Sequence, residues 1–362
     1  METVQGIVGE AVNQPALVEQ DRKERLRLLQ AMRISTQTEI EPEAYSLSVD
    51  GVGIFALGDV HAIKGKQKSG KSGLLKVCAA SLLRGQMFRV KSELKEPQVL
   101  FIDTEQQSAD VKLVISEVKH LTGLEDDYID QHLHLYTLRS RSYDTLLDDT
   151  RLLIDTLRPQ VVFIDGLVDY VASFNDEVLS RQLIHELLKL CEEYHCAIVN
   201  VLHENKALDD ANMRGHLGTV LAQKSGTVLQ CQKTKTGIIN ITCPDARHGQ
   251  MPAWNIAFGS DGHILDADLM QQQQVQAAKK QKAEQRQAER DLILQGRLEK
   301  ALDVIREHSG SMLRNELTVT LTQRLKLSRP VVSKFITQMV KEGKLIEYDK
   351  SIKNPSDTVL PF

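Results

Sequence analysis

The sequence predicts an α/β fold with a largely parallel sheet, and three observations predict it. Across residues 54–268, short apolar runs alternate with longer stretches of helical periodicity. Runs such as "VLFID" and "VVFID" are almost continuously apolar, as strands buried on both faces are. Finally, "AIKGKQKSGKSGLLKV", residues 62–77, sets two glycines with four residues between them, follows them with Lys71 and Ser72, and lies where a strand pattern gives way to a helical one.

Taken in order, the chain has a loose start followed by a helix around residues 17–32, rich in Arg, Lys and Glu. Residues 1–50 therefore read as a helical arm that could pack on a neighbouring subunit. Strands are expected at 61–64, 99–103, 132–137, 161–165, 197–202, 227–230, 238–242 and 254–258, with helices near 71–83, 109–121, 143–157 and 177–194. The last strands follow one another through short turns, so hairpins are expected at one edge of the sheet. Residues 51–268 make up this domain.

Residues 269–297 change abruptly to Gln, Lys, Glu and Ala, which marks a boundary and fits either a solvated helix or a disordered linker. A third pattern follows in 298–362. Residues 298–308 are amphipathic and 313–325 form a second helix. Ser328 and Pro330 open a third, which turns Val331, Val332, Phe335, Ile336, Met339 and Val340 inward. Residues 345–348 and 359–362 could pair as a wing, so the segment is expected to be a C-terminal winged helix-turn-helix.

Bulk properties narrow the function classes. At 362 residues, one large and one small domain are expected. No run of 18 apolar residues occurs, and the first 20 residues lack a basic start followed by an apolar core, which argues against membrane spans and secretion. The five cysteines are odd in number and form no C-x-x-C pair, so a cytoplasmic, reducing setting fits, with most of them buried as small hydrophobes. A net charge of −4 does not announce nucleic-acid binding, which would have to come from local patches or from a ring that concentrates them.

The glycine-rich turn carries the first chemistry. Gly65 and Gly70 let the backbone curl with its N–H groups inward, and Lys66, Gln67, Lys68, Ser69 and Gly73 complete a phosphate cradle. Lys71 would reach the β and γ phosphates of ATP, and the hydroxyl of Ser72 would hold Mg2+. The competing reading is a Lys/Gly-rich surface turn. Hydrolysis further needs a carboxylate for the metal and a base for water. Asp165, ending "VVFID", has the place of a metal-shell aspartate, although Asp is also a common turn residue. Glu105, just past the strand of "VLFIDTE", is the expected base, close to the phosphates if its strand neighbours that of the glycine-rich turn.

The order of glycine-rich turn, "IDTE", "FIDG" and a strand ending in His203 resembles the RecA-fold ATPases over residues 51–268. Within them it looks most like the hexameric replicative helicases of the plasmid RepA type and related mobile-element ATPases. The resemblance implies a RecA-like P-loop ATPase core and a catalytic role for Glu105. It makes His203 a sensor of the γ-phosphate, and Lys206, Arg214, Gly215 and His216 contacts to single-stranded DNA. For the loop that carries these four, a solvated charged loop is the competing reading, since Asp209 and Asp210 reduce its basicity. Arg247 and Gly249 match the helicases' basic-x-Arg-x-Gly segment, which supplies an arginine finger to the next subunit. Asp245 departs from it where lysine is usual, and Lys233 and Lys235 are alternatives. In the C-terminal segment Arg329, Lys334 and Lys341 are the expected contacts to duplex DNA, although winged helices also dock proteins.

His132 and His134 alternate with leucines and have no third ligand nearby, so a metal pair is not expected. The resulting expectation is an Mg2+-dependent ATPase that acts on DNA as a homo-oligomer, with a ring hexamer favoured and no membrane partner. It would serve the replication or mobilisation of a plasmid or mobile element. The alternative is an ATP-switched DNA-binding regulator of the KaiC type without helicase activity.

Overall fold

The computed structural model describes residues 14–205, 210–247 and 249–357, in two units that meet between Ile264 and Leu265. In the first, α1 (Gln14–Ala31) is followed by β1 (Tyr45–Val49) and β2 (Val52–Ala56). β3 (Val60–Gly65) leads through the glycine-rich turn into α2 (Lys71–Arg84), and the short β4 (Gln86–Met87) and β5 (Val90–Lys91) complete a small sheet ordered β2-β1-β5-β4. These short strands were not legible as an α/β repeat, because their pattern is that of a small antiparallel sheet joined by turns.

The alternation then runs through β6 (Val99–Asp103), α3 (Ser108–Thr122), α4 (Asp126–His132), β7 (Leu133–Thr137), α5 (Tyr143–Leu157), β8 (Val161–Asp165), α6 (Glu177–Tyr194), β9 (Ala197–His203) and α7 (Gly215–Lys224). His132, expected at the start of a strand, ends α4 instead. β10 (Thr227–Lys233), β11 (Ile239–Ala246), β12 (Trp254–Phe258) and β13 (Ile264–Asp266) close the large sheet.

Its order is β13-β12-β11-β10-β3-β9-β8-β6-β7, parallel from β10 to β7 and antiparallel from β10 to β12. The period-two rule explains how both faces are buried. On β6 and β8, Val99, Phe101, Val161 and Phe163 pack under α2 and α3, while Leu100, Ile102, Val162 and Ile164 face α5, α6 and α7. Cys78, Cys191, Cys196 and Cys231 are buried thiols within these layers. Among the described residues, no helix is long and apolar enough to cross a membrane.

α7 went unread in the sequence because Gly215 and Gly218 have poor helix propensity. Packing requires them. A Cβ on Gly218 would stand 2.5 Å from Met213, and Gly215 adopts φ +72° where a Cβ would meet Phe174 at 2.6 Å.

In the second unit, α8 (Ala267–Glu307) is one continuous helix, capped by the Asp266 carboxylate accepting from the Leu269 N–H. Of the two readings left open for 269–297, the solvated helix is the one that forms. β14 (Ser311–Leu313), α9 (Arg314–Leu325), α10 (Arg329–Lys341), β15 (Ile346–Tyr348) and β16 (Ser351–Lys353) follow, with strand order β14-β16-β15. Val304, Ile305, Leu317, Leu321, Phe335 and Ile336 form its core. The hairpin differs from expectation: β15 pairs with β16 through a two-residue turn, Asp349 and Lys350, both at positive φ. The strand expected at 359–362 lies outside the described residues.

Candidate active site

Because β3, β9, β8 and β6 are parallel neighbours, their C-terminal residues line up along one edge of the sheet. Gly65 pairs in register with His203, and Asp103 with Asp165. The glycine-rich turn rises from this edge into α2. Gly70 takes φ +99°, and a Cβ there would stand 2.4 Å from Ile239 Cδ1, so only glycine lets the backbone pass and start the helix.

The cleft above this edge has a volume of about 330 Å3. Lys71 Nζ donates to the carbonyls of Gly65 (3.1 Å) and Lys66 (3.0 Å) and approaches His203 Nδ1 at 3.2 Å. An ammonium can only donate, so Nδ1 carries the lone pair and the imidazole proton is on Nε2. That nitrogen lies 3.9 Å from Glu105 Oε1. Ser72 Oγ donates to Asp165 Oδ2 at 3.2 Å. Ser69 Oγ is buried and has no hydrogen-bond partner among the described residues, as a group awaiting a phosphate oxygen would be.

Glu105 reaches this cleft although its strand is not next to β3: β9 and β8 stand between. The expectation that linked its proximity to strand adjacency is therefore corrected. Two features do the work instead. Asp103, fully buried, accepts from the N–H groups of Glu105 (2.9 Å) and Gln106 (2.7 Å) and from Gln106 Nε2 (2.7 Å), which fixes the turn beyond β6. Gly166, just past β8, leaves room for the leaning carboxylate, since a Cβ there would stand 2.5 Å from Glu105 Oε1. Neither Asp103 nor Gly166 was assigned a role from the sequence, although both lie in the motifs that were singled out.

The charges are mutually adjusted. Burial pushes Asp165 up to about 6, with Asp103 and Glu105 adding to the rise and Ser72 and Lys71 opposing it. The neighbouring His203 imidazole holds the Glu105 carboxyl below the usual carboxylate range, and Lys71 contributes in the same direction. Burial lowers Lys71 from its ordinary value, against the pull of Asp165. A multiply anionic ligand with its cation matches a buried lysine facing two carboxylates. Phe258, at the end of β12, forms part of the rim beside Gly73 and was also missed. A lone aromatic ending a hairpin strand was its only mark in the sequence.

A family model described as an AAA domain matches residues 22–209. The chain belongs to the AAA domain family and is a P-loop ATPase. Among solved structures, the crystal structure of the RadB recombinase is similar, at 15% sequence identity and a TM-score of 0.45, covering 59% of this chain and 93% of that one. No curated protein matches the chain.

The remaining expected residues of this ATPase are spread wider. Lys66 belongs to the P-loop, but its ammonium turns toward the carbonyls of Asn205 and, at 2.9 Å, Asp210. Lys64, on β3, donates to Ala211 O at 3.0 Å. The segment after His203 is thus tied to the P-loop strand by two lysines. Lys206 lies outside the described residues. Arg214 stacks its guanidinium over Phe174 at 4.3 Å, Gly215 opens α7, and His216 is exposed on it.

Arg247 does not approach the cleft of its own chain. It contacts Asp59 Oδ2 at 3.3 Å and donates to Lys224 O at 2.8 Å. Asp59 precedes β3, so Arg247 stands at the opposite end of that strand, about 20 Å from the P-loop at ~3.3 Å per residue. Lys233 and Lys235, in contrast, sit at the P-loop end of the sheet, beyond the pairing of Gln230 with Lys64. His132 and His134 are both hydrogen-bonded to Gln98. Arg329 is bonded to Asn315 at 2.6 Å, while Lys334 and Lys341 are exposed on α10.

Proposed function

We propose that this ATPase acts on DNA as a ring-forming motor of the replicative-helicase type, in the replication or mobilisation of a plasmid or mobile element. The observation that carries the reading is the set of lysine contacts between the P-loop and the segment beyond β9. Lys71 touches His203, and Lys66 and Lys64 hold Asn205, Asp210 and Ala211. A phosphate in the cleft competes for Lys71, so nucleotide state is felt at the segment that carries Arg214.

In the proposed mechanism Lys71 lies against the β and γ phosphates, and the P-loop N–H groups hold them in line. Ser72 and Asp165 would hold Mg2+, which offsets the phosphate charge. Glu105, kept ionised by His203 and Lys71, orients and deprotonates water. His203 reports the γ-phosphate through its contact with Lys71. Arg247, too far from its own cleft, serves as the finger for a neighbour's ATP in a homo-oligomeric ring, a hexamer by resemblance, with Lys233 or Lys235 in that role if Arg247 fails.

The second unit is proposed as a winged helix-turn-helix that binds duplex DNA. The end of α8 with α9 and α10 supplies three helices, and β15–β16 the wing. Lys334 and Lys341 on the exposed face of α10, with Arg329 at its start, are the phosphate contacts. Replacing these three by alanine should weaken duplex binding and reduce its salt slope.

The deciding experiment measures ATP hydrolysis with and without single-stranded DNA, together with movement along the strand. Stimulated hydrolysis with movement is the expected result. Site-specific duplex binding without movement would replace the motor by an ATP-operated switch. Arg247→Ala should lose hydrolysis yet bind ATP, and mixing it with Lys71→Ala in one ring should restore part of the activity.

A further inference from the structure

Thr104 is buried immediately past β6, and its hydroxyl reaches across to the turn that follows β8. Oγ1 accepts from the Gly166 N–H at 3.1 Å and stands 2.7 Å from Asp169 Oδ2 and 3.0 Å from Gly166 O. We infer that Thr104 and Asp169 are positioning residues for ATP hydrolysis: they hold Gly166, over which the Glu105 carboxylate leans, and so set where that carboxylate stands relative to Asp165. The inference rests on the reading of Glu105 as the base.

A hydroxyl has one proton to give. An ionised carboxylate can only accept, so the proton goes to Asp169, the nearer partner, and a lone pair receives the Gly166 N–H. The result is a directed chain from the Gly166 N–H through the Thr104 hydroxyl to Asp169. Burial raises Asp169 above the usual carboxylate range, the Thr104 hydroxyl opposes that rise, and Glu105 adds to it. Asp169 itself sits on a single turn of 3-10 helix, Leu167–Tyr170, whose Leu167 and Tyr170 are buried in the core and anchor the chain of bonds.

The sheet does not need this hydroxyl. β6 and β8 are in register from Val99 with Val161 to Asp103 with Asp165, and the Thr104 N–H extends the ladder by donating to Asp165 O at 2.8 Å. What the hydroxyl adds lies beyond the strand ends, at the peptide that follows Asp165. A Cβ on Gly166 would stand 2.5 Å from Glu105 Oε1, so a shift of this peptide is passed to the Glu105 carboxylate. Asp165 and Glu105 both line the P-loop cleft, whereas Thr104 and Asp169 are not among its described lining residues and would act through Glu105, not on the nucleotide.

The test is steady-state ATP hydrolysis by the full chain, with nucleotide affinity read from a fluorescent ATP analogue. Thr104→Val keeps the shape without the hydroxyl. It should lower kcat about tenfold, the order of one hydrogen bond to a charged group, with KM and analogue affinity within about twofold of the parent. Thr104→Ser should restore most of the rate. Asp169→Ala should lower kcat to a similar extent, and joining it to Thr104→Val should cost little more, because both act along one path. In a Glu105→Gln background, Thr104→Val should leave the residual rate unchanged, which a merely structural role would not do. A kcat for Thr104→Val within about twofold of the parent would overturn the inference. So would a loss that serine does not restore, or an equal loss in the Glu105→Gln background. Should Thr104→Val fail to bind nucleotide, Asp169→Ala carries the same expectation, and a parental kcat there overturns it. Glu105→Gln turning over at the parent rate would instead overturn the reading on which the inference rests.

Discussion

The ATPase unit holds two clefts, the P-loop cleft and another of about 710 Å3 beside the start of α7, and they are built from opposite materials. The P-loop cleft is small and sets a buried lysine against Asp165 and Glu105. The other is roughly twice as large, holds amides and one arginine, and has no carboxylate among its described lining residues. Fixed negative charge at the first requires a cation with the ligand and suits a step in which charge moves. A wall of amides with one arginine suits a ligand that is held and released unchanged. Between them in the chain, Lys66 holds the carbonyls of Asn205 and Asp210, and Lys64 holds that of Ala211.

The comparison breaks most completely at Lys71. Lys71→Ala should abolish hydrolysis and weaken nucleotide binding, a loss of at least about 10³-fold in turnover for a point charge on the reacting phosphates. Single-stranded DNA binding, as proposed for this unit, should then show no response to ATP. Near-normal turnover would reject the P-loop assignment. Glu105→Gln should be more selective, since it removes the base and leaves the cradle intact: ATP binding within about twofold of the parent, and turnover down about 10²–10³-fold. Single-strand affinity should then stay fixed at its ATP-bound value, and turnover at the parent rate would place the base elsewhere.

A smaller effect tests the sheet that carries the P-loop. His61, buried on β3, donates through Nε2 to Ala56 O at 2.9 Å, and burial lowers its pKa to about 4. Below about pH 6.5 the unfolded chain takes up a proton that the folded chain refuses, so stability is full above that pH and falls as pH drops toward 4. The loss reaches about 3 kcal/mol. Denaturant melts across pH 7 to 4.5 should show this slope, and His61→Leu should flatten it. Nucleotide binding should be lost in the same transition, because β3 leads into the P-loop and pairs with β9 along its whole length.

The finest cut is between the clefts themselves. Lys64→Met removes the ammonium that holds Ala211 O while leaving the P-loop sequence intact. ATP binding should hold, and the factor by which ATP changes single-strand affinity should fall by about threefold, the order of one charge-assisted hydrogen bond partly replaced by water. An unchanged factor would show that the coupling runs through His203 and the Lys66 contacts instead.

What the sequence determined by itself was the local chemistry. The glycine spacing, Lys71 and Ser72, and the acidic ends of "FIDT" and "FIDG" state a P-loop ATPase because each role needs a given residue type at a given distance along the chain. Buried parallel strands were legible for the same reason: apolar on both faces, they leave a continuous run. Tertiary structure decided what depends on which strands become neighbours. It set two strands between β3 and β6, yet brought Glu105 to the P-loop cleft over Gly166. It converted two helix-breaking glycines into the packing of α7, and turned Lys66 away from the cleft toward the next loop. It also placed Arg247 at the far end of β3. None of these follows from spacing, because pairing order and close approach are fixed by contacts between residues far apart in the chain, whereas a motif records only the contacts a short segment makes with itself.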